Sequence, residues 1–98
     1  PPAHLWKFAL LVMVQRPNME ISTTDLIAEL PNYIVVPDEA QGANLSRPDS
    51  KFSQLVRNLK SHKTTKTNFI YRGYAEATHG GFRATQKGLE FVRDYFKN

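Results

Sequence analysis

The chain has 98 residues, 41% of them hydrophobic, with one Trp, four Tyr and six Phe. That is enough for a single folded core, too small for most self-sufficient enzymes and too apolar for a disordered tail. It has no cysteine, which excludes disulfides and thiolate metal sites and fits a cytoplasmic protein. The formal net charge of +4 is unevenly spread. Residues 1–50 carry Lys7, Arg16 and Arg47 against six acids, whereas residues 51–98 carry ten basic side chains against Glu76, Glu90 and Asp94. Asymmetry of this kind points to nucleic acid or an acidic surface as a partner. The chain opens Pro1-Pro2 with no initiator Met, which suggests one domain, 1–98, excised from a longer protein.

In chain order, the first helix is expected from Ala3 to Gln15, ended by Arg16-Pro17-Asn18 because proline cannot continue a helix. Its apolar stretch is too short for a membrane span, which needs about 20 residues. It has almost no polar face, so it lies centrally or buries a second face against a second copy or an attached nuclease domain. Met19 to Ser22 reads as a short extended piece. A second helix follows, with Ser22 or Thr23 as N-cap, Asp25 in its first turn, and Leu26, Ile27 and Leu30 facing inward before Pro31. Tyr33 to Val36 is ambiguous between strand and helix end, and Pro37 to Asp49 reads as a long loop. The third helix is the clearest: Asp49 or Ser50 caps it, and Phe52, Leu55, Val56 and Leu59 recur at i, i+3, i+4 and i+7. Asn68 to Arg72 fits one more helical turn, stopped by Gly73 in the left-handed conformation. Tyr74–Thr78 and Phe82–Thr85 read as strands joined at His79-Gly80-Gly81, with glycine expected to supply the positive φ of a tight hairpin. Thr85 caps a last helix whose inner stripe is Leu89, Val92, Tyr95 and Phe96, with Phe91 at its edge. The predicted class is α+β, mainly α: about four helices with a small antiparallel hairpin, in the order of a winged helix-turn-helix.

Between Lys51 and Arg72 there is no Asp or Glu. On the third helix, Gln54, Arg57, Asn58 and Ser61 lie opposite the apolar ladder, and these are side-chain types that reach base edges in duplex DNA. Lys51, Lys60, His62, Lys63, Lys66 and Arg72 flank them and are the expected phosphate contacts. His79 and Arg83 bracket the hairpin turn and are the expected contacts of the wing. Among the aromatics Trp6, Tyr33, Phe69, Tyr71 and Tyr74, we single out Phe69 and Tyr71 as candidates for stacking on a base.

Catalysis finds little support. Pro37-Asp38 followed by Asp49-Ser50-Lys51 matches a P-D…D-x-K nuclease pattern, but that chemistry needs acids and lysine converging on a metal from adjacent strands. Residues 37–48 have no strand pattern, and capping accounts for Asp49. His4, His62 and His79 lack ligand spacing, so no metal site is expected, and no glycine loop cradles a phosphate, so no cofactor is expected.

Phe52-Ser53-Gln54-Leu55-Val56-Arg57-Asn58-Leu59-Lys60-Ser61-His62, Gly73-Tyr74-Ala75-Glu76 and Gly81-Phe82-Arg83-Ala84-Thr85-Gln86-Lys87-Gly88-Leu89 together resemble the winged-helix modules of prokaryotic restriction endonucleases. These include Mrr-like N-terminal domains and modules of modification-dependent enzymes. The resemblance covers roughly residues 19–96. The Thr85–Gly88 opening of the last helix is common to many winged helices, and the Arg57–His62 run is the more telling part. Such modules bind duplex DNA through helix and wing, sometimes sensing a methylated base, and leave cleavage to a separate domain. The resemblance therefore implies a non-enzymatic target-recognition module within a restriction system or related DNA-processing protein. Two alternatives stand beside it: the DNA-binding domain of a dimeric transcriptional regulator, paired through the first helix, and a winged helix that binds protein.

Overall fold

The computed structural model describes residues 4–34 and 48–97. Helix α1, Leu5–Val14, buries Leu5, Ala9, Leu10, Val12 and Met13 and ends before Pro17 as expected. Asn18 and Met19 then adopt φ of 58° and 56°, a sharp reversal that a short polar side chain such as Asn tolerates better than most. The chain continues directly into strand β1, Glu20–Ser22. Helix α2, Thr23–Glu29, is capped by Ser22, whose Oγ accepts from the Asp25 amide at 3.0 Å, satisfying one of the orphan donors of the first turn. A 3₁₀ turn over Leu30–Asn32 follows. The expected loop from Pro37 to Asp49 lies mostly outside the described residues.

Helix α3 spans Pro48–Ser61. Asp49 and Ser50, expected as caps, are thus already inside the helix. Proline suits the first helical position, because its missing amide would have no intrahelical acceptor there and its fixed φ is already helical. Beyond α3, Asn68 to Arg72 makes the expected single turn: the Arg72 amide donates to the Asn68 carbonyl at 3.0 Å. Gly73, at φ 88°, closes it, with its own amide on Ile70 O and the Tyr74 amide on Phe69 O. Only a residue at ease with positive φ can provide this pair of bonds.

Strands β2, Ala75–Ala77, and β3, Gly81–Ala84, form the expected hairpin, but the sheet has three strands in the order β1-β3-β2. The piece at 20–22 is an edge strand paired antiparallel with β3, Ile21 opposite Phe82 and Ser22 opposite Gly81. The role expected of the hairpin glycines is corrected: neither Gly80 nor Gly81 has a positive φ, and Gly73 alone among the described glycines does. Gly81 is needed for a different reason, since a Cβ there would run into the Ile21 carbonyl and come within 2.7 Å of the Ser22 Cα. Glycine lets β1 approach.

Helix α4, Gln86–Tyr95, starts at Thr85, whose hydroxyl accepts from the Gly88 amide at 3.1 Å and donates to the Gly73 carbonyl at 2.6 Å. Gly88 and Val92 are its buried positions, while Leu89 and Phe96 are partly buried. A Cβ on Gly88 would strike the Tyr74 carbonyl, so the missing side chain lets α4 lie against the start of the hairpin. Tyr95, expected on the inner stripe, is 50% exposed: it stacks on Phe91, one turn earlier, at the rim of the core. The centre of the core is Leu10, Met13, Leu26, Leu30, Val56, Phe69 and Phe82, drawn from α1, α2, the 3₁₀ turn after it, α3, the 68–72 turn and β3. No helix among the described residues is long and apolar enough to cross a membrane.

Candidate nucleic-acid interface

Helix α3 presents two kinds of surface, as its periodicity requires. Phe52 and Val56 are 2% and 0% exposed, while Leu55 and Leu59, on the same side, are partly buried and pack at the margin of the core. On the other side Gln54, Arg57 and Ser61 are exposed and Asn58 is half-buried. These four form two rows of i, i+4 neighbours. In one row Gln54 Nε2 donates to Asn58 Oδ1 at 3.1 Å, so each amide orients the other. In the other row Arg57 and Ser61 line a shallow groove with Thr23, Lys60, Lys63 and Phe82. A second shallow groove on the Asn58 side is floored by Leu5, Leu55 and Leu59 and rimmed by His62, Thr65 and Asn68. The four expected base-contacting residues therefore share one ridge between two grooves.

The expected phosphate contacts divide into distinct situations. His62, Lys63 and Lys66 are exposed on the turns that follow α3. Lys60 instead folds back: its ammonium donates to the Thr78 carbonyl at 2.9 Å and lies 5.2 Å from the centre of the Phe82 ring. Arg72 lies over Trp6 and Tyr74, with its guanidinium 6.0 and 5.4 Å from their ring centres. The side chain of Lys51, like Pro37, Asp38 and the side chain of Asp49 in the nuclease-like pattern, lies outside the described residues.

At the hairpin, His79 is exposed at the turn. Arg83 sits on the outer face of the middle strand between two carboxylates, 3.6 Å from Glu20 on β1 and 3.5 Å from Glu76 on β2. The register explains the pairing, because Glu20 and Glu76 both stand opposite Arg83. Arg16 is matched in the same way by Asp25 and Glu29. Arg57, Lys63 and Lys66 form no ion pair among the described residues.

Of the two aromatics singled out for base stacking, Phe69 is corrected to a core residue, 1% exposed and in contact with Trp6 and Phe82. Tyr71 is 54% exposed. Trp6 and Tyr74 stack on each other at 5.5 Å within a cluster that includes Phe91. Thr23, at the start of α2, was not anticipated at the groove; nothing local in the sequence marks it, since only the folding of α2 against α3 brings it there. Among the described residues no group of three or more His, Asp or Glu side chains is arranged to hold a metal ion. Comparison with protein-family models, curated proteins and solved structures finds no match to this chain.

Proposed function

We propose that this domain binds duplex DNA as a winged helix, with α3 in the major groove and the β2–β3 hairpin as the wing. The observation that carries the reading is electrostatic. Arg57, Lys63 and Lys66 share the exposed surface of α3 and its following turns with no carboxylate partner among the described residues, whereas Arg16 and Arg83 are paired elsewhere. Unmatched cations beside Gln54, Asn58 and Ser61 suit a surface that grips phosphates and reads base edges. The element order and the sheet order β1-β3-β2 support the winged-helix arrangement, because β1 and the hairpin flank the α2–α3 pair. The resemblance of Phe52–His62 and Gly81–Leu89 to modules of prokaryotic restriction endonucleases makes a target-recognition module of a restriction or DNA-processing enzyme our reading of the parent role.

In this arrangement Arg57 and the Gln54–Asn58 pair face the bases, and Lys63 and Lys66 meet phosphates. Titration of duplex binding against salt tests it. Each phosphate contact adds about −0.9 to the slope of log affinity against log salt, so Lys63→Ala with Lys66→Ala should flatten the slope by about 1.8. Arg57→Ala should cost about 1–3 kcal/mol on a preferred site and much less on random DNA. A salt-independent profile in the wild type would replace this reading with a winged helix that binds protein.

A further inference from the structure

Lys60 stands in the middle of the cationic run, yet its ammonium is turned away from the run and toward the hairpin. It donates to the Thr78 carbonyl at 2.9 Å and covers the Phe82 ring at 5.2 Å. The Thr78 amide in turn donates to the Gly81 carbonyl across the turn at 2.9 Å. On the far side of His79, the Gly80 carbonyl accepts from the Thr23 amide, also at 2.9 Å. The hairpin tip is therefore held at two points, by the first residue of α2 and by the side chain of Lys60 from α3. A charge-assisted bond of this kind, made where water is partly excluded, is stronger than a neutral one, and the ring beneath the ammonium adds to it.

We infer that Lys60 is a positioning residue: a strut that fixes the angle between α3 and the hairpin so that both meet the duplex as one preformed surface. The inference rests on the DNA-binding reading above. Helix and hairpin can contact the same duplex together only at a fixed mutual angle. Fixing that angle before binding removes an ordering cost that would otherwise weaken the complex. A phosphate ligand and a strut differ in one measurable respect. Losing a phosphate contact lowers the salt slope by about 0.9, whereas losing a strut lowers affinity at every salt concentration and leaves the slope alone.

The experiment uses the 98-residue chain, a mixed-sequence duplex oligonucleotide, and three variants. Lys60→Met keeps the aliphatic cover on Phe82 and removes the donor, Lys60→Arg keeps a donor and a cation over the ring, and Lys63→Met is the comparator. Lys60→Met should bind about tenfold more weakly, as befits the loss of one charge-assisted hydrogen bond, with the wild-type salt slope. Lys60→Arg should recover most of that loss, and Lys63→Met should lower the slope by about 0.9. In the protein without DNA, the amides of Thr78 and Thr23 should exchange faster in Lys60→Met and not in Lys63→Met. A slope reduced by about 0.9 in Lys60→Met with both amides unchanged would overturn the inference and make Lys60 a phosphate ligand. Unchanged affinity in Lys60→Met would overturn it as well. Should the wild type show no salt-dependent affinity for DNA, the DNA reading falls, and amide exchange in the free protein still decides whether Lys60 holds the hairpin.

Discussion

A methyl group placed on Gly81 would be driven into the backbone of β1, meeting the Ile21 carbonyl and coming within 2.7 Å of the Ser22 Cα. Those are main-chain atoms with no rotamer to move aside, so β1 must back away from β3. Two losses follow. Overpacking of this kind costs about 1–3 kcal/mol. Separation of β1 also withdraws part of the burial of Ile21, now 4% exposed, and fully exposing a side chain of that size costs about 1.5–3 kcal/mol. Gly81→Ala should therefore destabilise by about 2–5 kcal/mol, out of the roughly 5–15 kcal/mol available to a small domain. At about 4–8 °C per kcal/mol for this size, even the lower figure predicts a Tm reduced by about 8–16 °C. The adjacent residue supplies the control. A Cβ on Gly80 meets nothing within 4 Å, and its φ is not in the left-handed region. Gly80→Ala should stay within about 1 kcal/mol of wild type, and restriction of the unfolded chain pushes it toward stabilisation. Thermal melts of the two variants, followed by circular dichroism, decide the matter. If Gly80→Ala melts as low as Gly81→Ala, the hairpin needs backbone freedom rather than room for β1; if Gly81→Ala melts with wild type, the β1–β3 contact is wrong.

Two further pairs of measurements separate the fold from its surface. Phe52→Ala, at a position 2% exposed, should cost about 3–5 kcal/mol through lost burial and a cavity. Lys63→Ala should stay within about 0.5 kcal/mol while its affinity for duplex DNA falls; melts and gel shifts on the two variants check both, and the opposite pattern would reverse the faces of α3. Thr85→Ala removes both the cap on the Gly88 amide and the bond to the Gly73 carbonyl and should cost about 0.5–2 kcal/mol, while Thr85→Ser should recover most of it. An unchanged Tm in Thr85→Ala would show that water replaces both bonds at no cost.

Most elements were legible because their signals are local. The Arg16-Pro17 stop, the Phe52–Leu59 spacing, the Ser22 and Thr85 caps, the Gly73 stop and the Gly80-Gly81 turn each need only a handful of neighbouring residues to be read, and α1, α2, α3, α4 and the hairpin follow from them. What was missed is non-local. The short extended piece expected over Met19–Ser22 is strand β1, but its partner is not readable locally: only the fold pairs it with β3, some sixty residues later in the chain. The same pairing explains Gly81, which local reasoning attributes to turn geometry because nothing near it in sequence shows that β1 packs against it. Helical phase puts Phe52, Leu55, Val56 and Leu59 on one side of α3 but does not rank their depth; depth depends on what lies opposite, and Leu55 and Leu59 end at the margin of the core. Tyr95 was misjudged on the same ground.

The candidate interface was legible in its sign and not in its division of labour. A run without acids from Lys51 to Arg72 is visible to simple counting, but the partner of each charge is set by elements remote in sequence. Arg83, expected at the wing, has Glu20 on one side from β1 and Glu76 on the other from β2. Arg72, exposed at the end of the run, lies over Trp6 from α1. Lys60 carries the one local hint that could have been used. It stands four residues after Val56, which is wholly buried, so its stem must run along the edge of the core before its ammonium reaches a polar atom. The hairpin puts the Thr78 carbonyl at that place. With these three cations engaged within the fold, the cations of the Lys51–Arg72 run that are exposed and form no ion pair or ring contact among the described residues are Arg57, Lys63 and Lys66, with His62 beside them. That smaller set makes a sharper demand on experiment than the run itself. Substitutions at Lys63 and Lys66 should change the number of counterions released on binding, and substitution at Lys60 should change only how well the surface is held.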